Sequence, residues 1–166
     1  MIAEYLIVDN DTLAQLQQLD DDQLADAVIA LIESDKHPHV DLGKLWDVLH
    51  FVLTKQSATN PVPENPLSEF VLGVDAFSES EDADFIGYTD WAMIAEVVDA
   101  LEQVNIHKRL DKLTMKALRE AKLFPDKIWQ DKRENLVKEI ANSYTELKVL
   151  YEQALDTGNN VIVSIL

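Results

Sequence analysis

Cysteine is absent from the 166-residue chain. Disulfide scaffolding, thiol catalysis and thiolate metal sites are therefore excluded, and the usual marker of an oxidising compartment is missing. Glycine is almost as scarce: four residues, widely separated, leave no Gly-rich loop to cradle a nucleotide phosphate. No serine stands in a G-x-S-x-G frame, so the usual nucleophile elbow is missing as well. There is no run of 18 apolar residues to read as a membrane span. The first residues, MIAEYLIVDNDTL, lack the basic region that opens a secretory signal.

Basic residues are also scarce over much of the chain. Residues 1–105 hold 3 Lys/Arg against 22 Asp/Glu, a balance of −19, whereas residues 106–166 hold 11 against 9, a balance of +2. An overall charge of −17 repels phosphate backbones, so nucleic acid is not an expected partner. The acids could offer a face to a basic protein. The plainer explanation is solubility, because such fields bear on solubility and association more than on fold.

What is present suits one core. Hydrophobic residues make up 47% and charged residues 27%, the usual balance of a globular domain of this length. Ile2–Val8 reads as a buried strand, short and rich in aromatic and β-branched residues. Asp9–Asp11 offers an N-cap to a short helix with Leu13, Leu16 and Leu19. Asp20 and Gln23 resemble a capping box opening a helix with Leu24, Val28, Leu31 and Ile32 on one face. The acids Asp20, Asp21 and Asp22 suit the positive end of that helix dipole, and a calcium loop's glycine and closing glutamate are missing. Lys36–Leu42 reads as a loop, since Pro38 cannot continue a helix.

Further along, Pro66 reads as the first residue of the helix PLSEFVL and Gly73 as its stop. Phe85–Tyr88 resembles a short strand, and Asp90 can cap a helix carrying Ile94, Val98 and Leu101. Thr114 opens another helix, which Phe124-Pro125 breaks. Leu136, Ile140, Tyr144, Leu147, Tyr151 and Leu155 mark a long helix ended by Gly158, and Val161–Leu166 reads as a final strand. The class is α+β. Residues 1–166 are expected to form a single domain, several helices packed around a small mixed sheet built partly from the N- and C-terminal strands.

The most informative segment is Lys44–Thr54, KLWDVLHFVLT. On a helix, Trp46 lies four residues before His50, Asp47 three before it, and Thr54 four after it. That spacing can place an indole, an imidazole and a hydroxyl on one stripe with a carboxylate beside the imidazole. An Asp beside His could fix its tautomer and raise its pKa, as general-base chemistry requires. The bland reading is a core histidine satisfied by a neighbouring carboxylate or carbonyl. His37-Pro38-His39, flanked by Asp35 and Asp41, has an H-x-H spacing seen in metal sites but announces no third ligand. Lys108, Arg109, Lys112, Lys116, Arg119 and Lys122 read as the solvated faces of two short helices.

Taken together, K-x-W-D-x-L-H-F-x-L-T at Lys44–Thr54, N-P-L at Asn65–Leu67, V-L-G at Val71–Gly73, the aromatic-glycine strand Phe85–Tyr88, the helix Ile94–Leu101 and the F-P turn at Phe124-Pro125 resemble the YfbM-like family, known as domain of unknown function 1877. The resemblance implies a bacterial α+β single domain without an established activity. Its most distinctive stretch, W-D-x-L-H, falls here on Trp46, Asp47, Leu49 and His50. Family members often carry glycine straight after the helix threonine, where Lys55 stands, and many carry one in the first strand, where this chain reads IAEYLIV.

The expectation is a non-enzymatic binding or regulatory module of the cytoplasm. Its site would comprise Lys44, Trp46, Asp47, His50 and Thr54, near the proline loop that follows them, TKQSATNPVPENP with Pro61, Pro63 and Pro66, and would take a protein or a small molecule. An acidic, immunity-like mimic that binds a basic protein through residues 1–105 is one alternative. A small hydrolase using Asp47 and His50 is another. No cofactor, metal, nucleic acid or membrane is expected.

Overall fold

Strands β1 (Ala3–Val8) and β5 (Asn160–Ile165) carry apolar residues on both faces because each face meets a different core. Tyr5 and Ile7 of β1, with Val161, Val163 and Ile165 of β5, join a cluster of 33 buried residues. Leu6 and Val8, with Ile162, join a second cluster of eight. The period-two alternation of a strand sends neighbours to opposite sides, so a continuous apolar run is what a doubly covered sheet requires.

The computed structural model describes residues 1–166. Chain order after β1 is α1 (Asn10–Leu16), α2 (Asp21–Glu33), β2 (His39–Gly43), α3 (Trp46–Thr54), α4 (Pro66–Leu72), β3 (Asp75–Ala76), β4 (Phe85–Thr89), α5 (Trp91–Glu102), α6 (Ile106–Asp111), α7 (Met115–Ala121), a 3-10 turn (Ile128–Gln130) and α8 (Arg133–Thr157). The sheet order is β2-β1-β5-β4-β3, with both chain ends at its centre. Helices α1 and α2 cover the smaller core, and α3 to α8 cover the larger. The α+β single domain expected from the sequence is therefore what forms. No helix is long and apolar enough to cross a membrane.

Two details of the sheet depart from the expectations above. Every pairing is antiparallel, so the sheet is not mixed. Between β1 and β2 the helix pair α1–α2 returns the chain to the end it left, with His39 opposite Leu6; a parallel neighbour needs one crossover instead. Residues 39–42, read as part of a loop, belong to the edge strand β2. Pro38 sits just before that strand, where its missing N–H breaks no ladder bond, and its carbonyl accepts from Ile7 N–H at 2.9 Å.

Helix starts follow local chemistry. The side chains of Asp9, Asp20, Asp90, Asn105 and Thr114 each accept a backbone N–H three residues on, as N-caps do. Two arginines, Arg109 of the basic segment and Arg133 at the start of α8, are structural. Arg109 Nη1 donates to Leu53 O at 2.7 Å, and Arg133 donates to Leu113 O and Leu110 O at 3.1 and 2.8 Å. They satisfy carbonyls that helix ends leave open. Gly73 and Gly87 mark the approach of α4 to β4. A Cβ at Gly73, where φ is +83°, would lie 2.8 Å from Tyr88 N, and one at Gly87 would run into the Leu72 carbonyl.

Candidate functional site

Helix α3 is buried on most sides: Trp46, Asp47, Val48, Leu49, His50, Val52 and Leu53 are all inside. Its polar residues must therefore find partners in the protein. Lys44 precedes the helix and is exposed, while Thr54 is half-buried at its last turn. The five candidates thus divide into one surface residue, one at the margin and three in the interior.

Asp47 holds two distant segments. Its Oδ1 accepts from Ser57 Oγ–H at 2.9 Å and from Ala58 N–H at 2.7 Å, and its Oδ2 accepts from Phe124 N–H at 2.8 Å. A carboxylate with both oxygens engaged ties the loop after α3 to the Phe124-Pro125 turn. Charge-assisted bonds of this kind contribute about 1.5–3 kcal/mol each. Asp47 makes no hydrogen bond to His50, so the pair that general-base chemistry would need is not formed.

His50 has other partners. Its Nδ1 lies 2.8 Å from Gln56 O, a pure acceptor, so Nδ1 carries the hydrogen. Nε2 is then the acceptor and takes a hydrogen bond from Ser68 Oγ–H at 2.7 Å. Ser68 Oγ in turn accepts from Val62 N–H at 3.1 Å. Thr54 does meet His50, donating to its carbonyl at 2.8 Å. Burial holds the imidazole below the ordinary histidine value; the Gln56 bond and the Asp47 charge oppose that shift without reversing it. His50 is 0% exposed. It is a neutral, fully bonded core histidine that locks α3, the proline loop and α4 together.

Trp46 differs from its neighbours. Its ring stacks on Phe124 with centroids 5.5 Å apart, and it forms part of the wall of a cavity of about 480 Å³. Ala58, Thr59 and Pro61 of the loop, Leu72 of α4, and Phe85 and Ile165 from the sheet line the same space. Eight of its eleven lining residues are hydrophobic, so its character is apolar. Thr59, Pro61 and Phe85 form an exposed rim. A smaller cavity of about 230 Å³ is lined by Pro63, Ser68 and Glu69 among others and shares Pro61 and Leu72 with the first. His50 lines neither.

Ser68, Gln56 and Phe124 complete this region, and spacing alone does not reveal them as partners. Phe124-Pro125 stands out as a helix break and as the F-P turn of the family resemblance, and Ser68 only as the residue after N-P-L. The histidine loop holds no metal set. His37 Nδ1 lies 3.2 Å from Ile7 O, and no group of three or more His, Asp or Glu in the structure could hold a metal ion.

Comparison with known proteins matches this architecture over its whole length. The chain is 28% identical to Protein YfbM of Escherichia coli (strain K12), covering 100% of this chain and 98% of that protein. It also superposes on the crystal structure of YfbM from Escherichia coli, described as a protein of unknown function, with a TM-score of 0.81 and 27% identity, covering 100% of both chains. The model of the domain of unknown function DUF1877 matches residues 1–164. The chain belongs to the DUF1877 family.

Proposed function

We propose that this protein is a non-enzymatic binding module whose ligand occupies the cavity between Trp46, the proline loop and the ends of β4 and β5. The observation that carries this reading is the cavity itself. Its volume of about 480 Å³ and its mostly hydrophobic lining fall within the range of small-molecule sites. The site therefore centres on Trp46, with Asp47, His50 and Thr54 acting through the loop they fix rather than by touching the ligand. Lys44 lies outside it. The cysteine-free composition suits a reducing compartment, which we take to be the bacterial cytoplasm.

A titration with the neutral fluorophore Nile red tests the proposal. Wild-type protein should give saturable 1:1 binding with a blue-shifted emission. Thr59→Trp, which fills the rim from an exposed position, should abolish it while leaving the melting temperature within a few degrees. Equal binding by both proteins would overturn the reading.

A second reading draws on the acidic side of the sheet. Residues 9–35 carry eight Asp/Glu and no Lys/Arg, and Asp21, Asp22, Asp26, Asp82 and Asp84 converge around one cleft. A basic protein partner would suit that face, as an immunity-like protein requires. Such a complex should weaken steeply between low and high salt, and a salt-insensitive affinity would rule this reading out.

A further inference from the structure

Strand β2 is one edge of the sheet, and its backbone directions follow from its neighbours. Ile2 and Leu166 exchange both backbone bonds, and Ile7 N–H donates to Pro38 O. The odd residues of β1 therefore turn their backbone groups to β2 and the even ones to β5. Tyr5 takes both groups of its partner Val40. His39 and Asp41, opposite Leu6 and Glu4, turn their N–H and C=O groups outward, and no backbone group of a turn or loop meets them. A bulge at Ala3–Glu4 ends the regular pairing beyond Asp41. The open template is three residues long, with an outward donor and acceptor at each end.

Its side chains differ between the two faces. His39 and Asp41 share a face with Leu6 and are exposed, whereas Val40 shares one with Tyr5 and packs against the larger core. On that second face α8 stands beside the edge. Its Thr145, Glu146 and Val149 line a groove of about 590 Å³ together with His39, Val40 and Asp41. Val149 is an apolar residue left 56% exposed.

We infer that β2 pairs antiparallel with β2 of a second copy of this chain, with His39 opposite Asp41 of that copy and Val40 opposite Val40 on the two-fold axis. Self-complementarity selects both the occupant and the register. All four outward groups of each strand find partners, and an imidazole faces a carboxylate twice. A shift that sets Asp41 opposite Asp41 brings like charges together and offers His39 to Gly43, whose N–H already goes to Asp41 Oδ1 at 2.6 Å. One that sets His39 opposite His39 leaves the groups of Asp41 without a partner inside the strand. The two-fold axis, normal to the sheet, keeps both α8 helices on one face, so Val149 of each copy lies on the side where Val40 of the other enters. This inference stands apart from the cavity reading.

Sedimentation equilibrium and amide exchange on the whole chain test it. Two chains of −17 repel, so both are run at about 0.15 M salt, which screens that repulsion. The contact is short and the dimer weak, so the protein is taken from about 10 µM to 1 mM. Mass should rise from monomer toward dimer, and exchange at the His39 and Asp41 amides should slow in step, while the Val40 amide is protected throughout. His39→Asp sets like charges opposite each other twice and should weaken the dimer about tenfold or more. Adding Asp41→His restores unlike partners in this register and should recover most of the affinity. Melting curves check that both variants fold; if either does not, the wild-type exchange pattern decides. A monomer at every concentration would overturn the inference. So would a dimer that leaves the His39 and Asp41 amides fast, or one that His39→Asp does not weaken.

Discussion

His50 Nε2 and Ser68 Oγ lie 2.7 Å apart, joining the middle of α3 to the first turn of α4. With Nδ1–H given to Gln56 O, the imidazole serves both ends of the intervening loop, whose prolines Pro61 and Pro63 limit its freedom, while Pro66 opens α4. One buried ring thus sets where the loop lies. The loop contributes Ala58, Thr59 and Pro61 to the cavity, so His50 helps to place part of the cavity wall without lining it.

Stability should depend on the protonation of that ring. Burial holds the folded-state pKa of His50 below its ordinary value of 6.5, so the unfolded chain binds the proton more readily. The stabilisation is complete above about pH 6.5 and is lost as pH falls below it, with a limiting slope of about 1.4 kcal/mol per pH unit. Urea unfolding between pH 7.5 and 5 should show this decline. His50→Gln should flatten it, and an undiminished slope in that variant would exclude His50 as the source.

Asp47→Asn should destabilise the fold by about 3 kcal/mol. An amide keeps one acceptor oxygen, so it can serve either the Ser57–Ala58 pair or Phe124 N–H, and its NH₂ group then confronts a donor on the other side. Lys44→Ala, at an exposed position, should change stability by less than about 0.5 kcal/mol. Urea midpoints at pH 7 compare the two. A loss below 1 kcal/mol for Asp47→Asn would contradict the assignment.

What was legible in the sequence, and what was not, divides by distance along the chain. The caps at Asp9, Asp20, Asp90 and Thr114 act three residues away, so a short window contains both partners. Strand β2 escaped notice because it is an edge strand with exposed His39 and Asp41, and an edge needs neither apolar alternation nor a run of β-branched residues. The spacing of Trp46, Asp47 and His50 correctly puts them on one buried helix. It does not name their partners, since Phe124 is 77 residues from Asp47 and Ser68 is 18 from His50. Contacts between separate elements leave no period in the sequence.

Gly87→Ala should be more damaging than Gly43→Ala. The first forces a methyl group into the Leu72 carbonyl, a backbone atom that moves only if α4 shifts; the second, at φ +55°, meets nothing within 4 Å. Gly43→Ala should therefore cost only the left-handed penalty of about 1–2 kcal/mol. Gly87→Ala should exceed it, because overpacking of a rigid contact adds to the loss. Thermal melts of the two variants rank them, and the reverse order would show that α4 yields easily.

Lys55 caps α3 in the left-handed conformation, with φ 66° and ψ 14°. Its N–H closes the helix by donating to Phe51 O at 2.8 Å, so the conformation is imposed by the turn that leads into the loop. A residue with a Cβ carries a penalty there that glycine does not. Lys55→Gly should therefore stabilise the protein by about 1 kcal/mol, less whatever the exposed ammonium contributes over the Phe51 ring at 5.9 Å. Urea unfolding measures the gain. Lys55→Ala, which removes the same ammonium but keeps the Cβ, separates the two effects: it should show none of the gain, and equal stabilisation by both variants would place its origin in the lysine's charge rather than in the backbone.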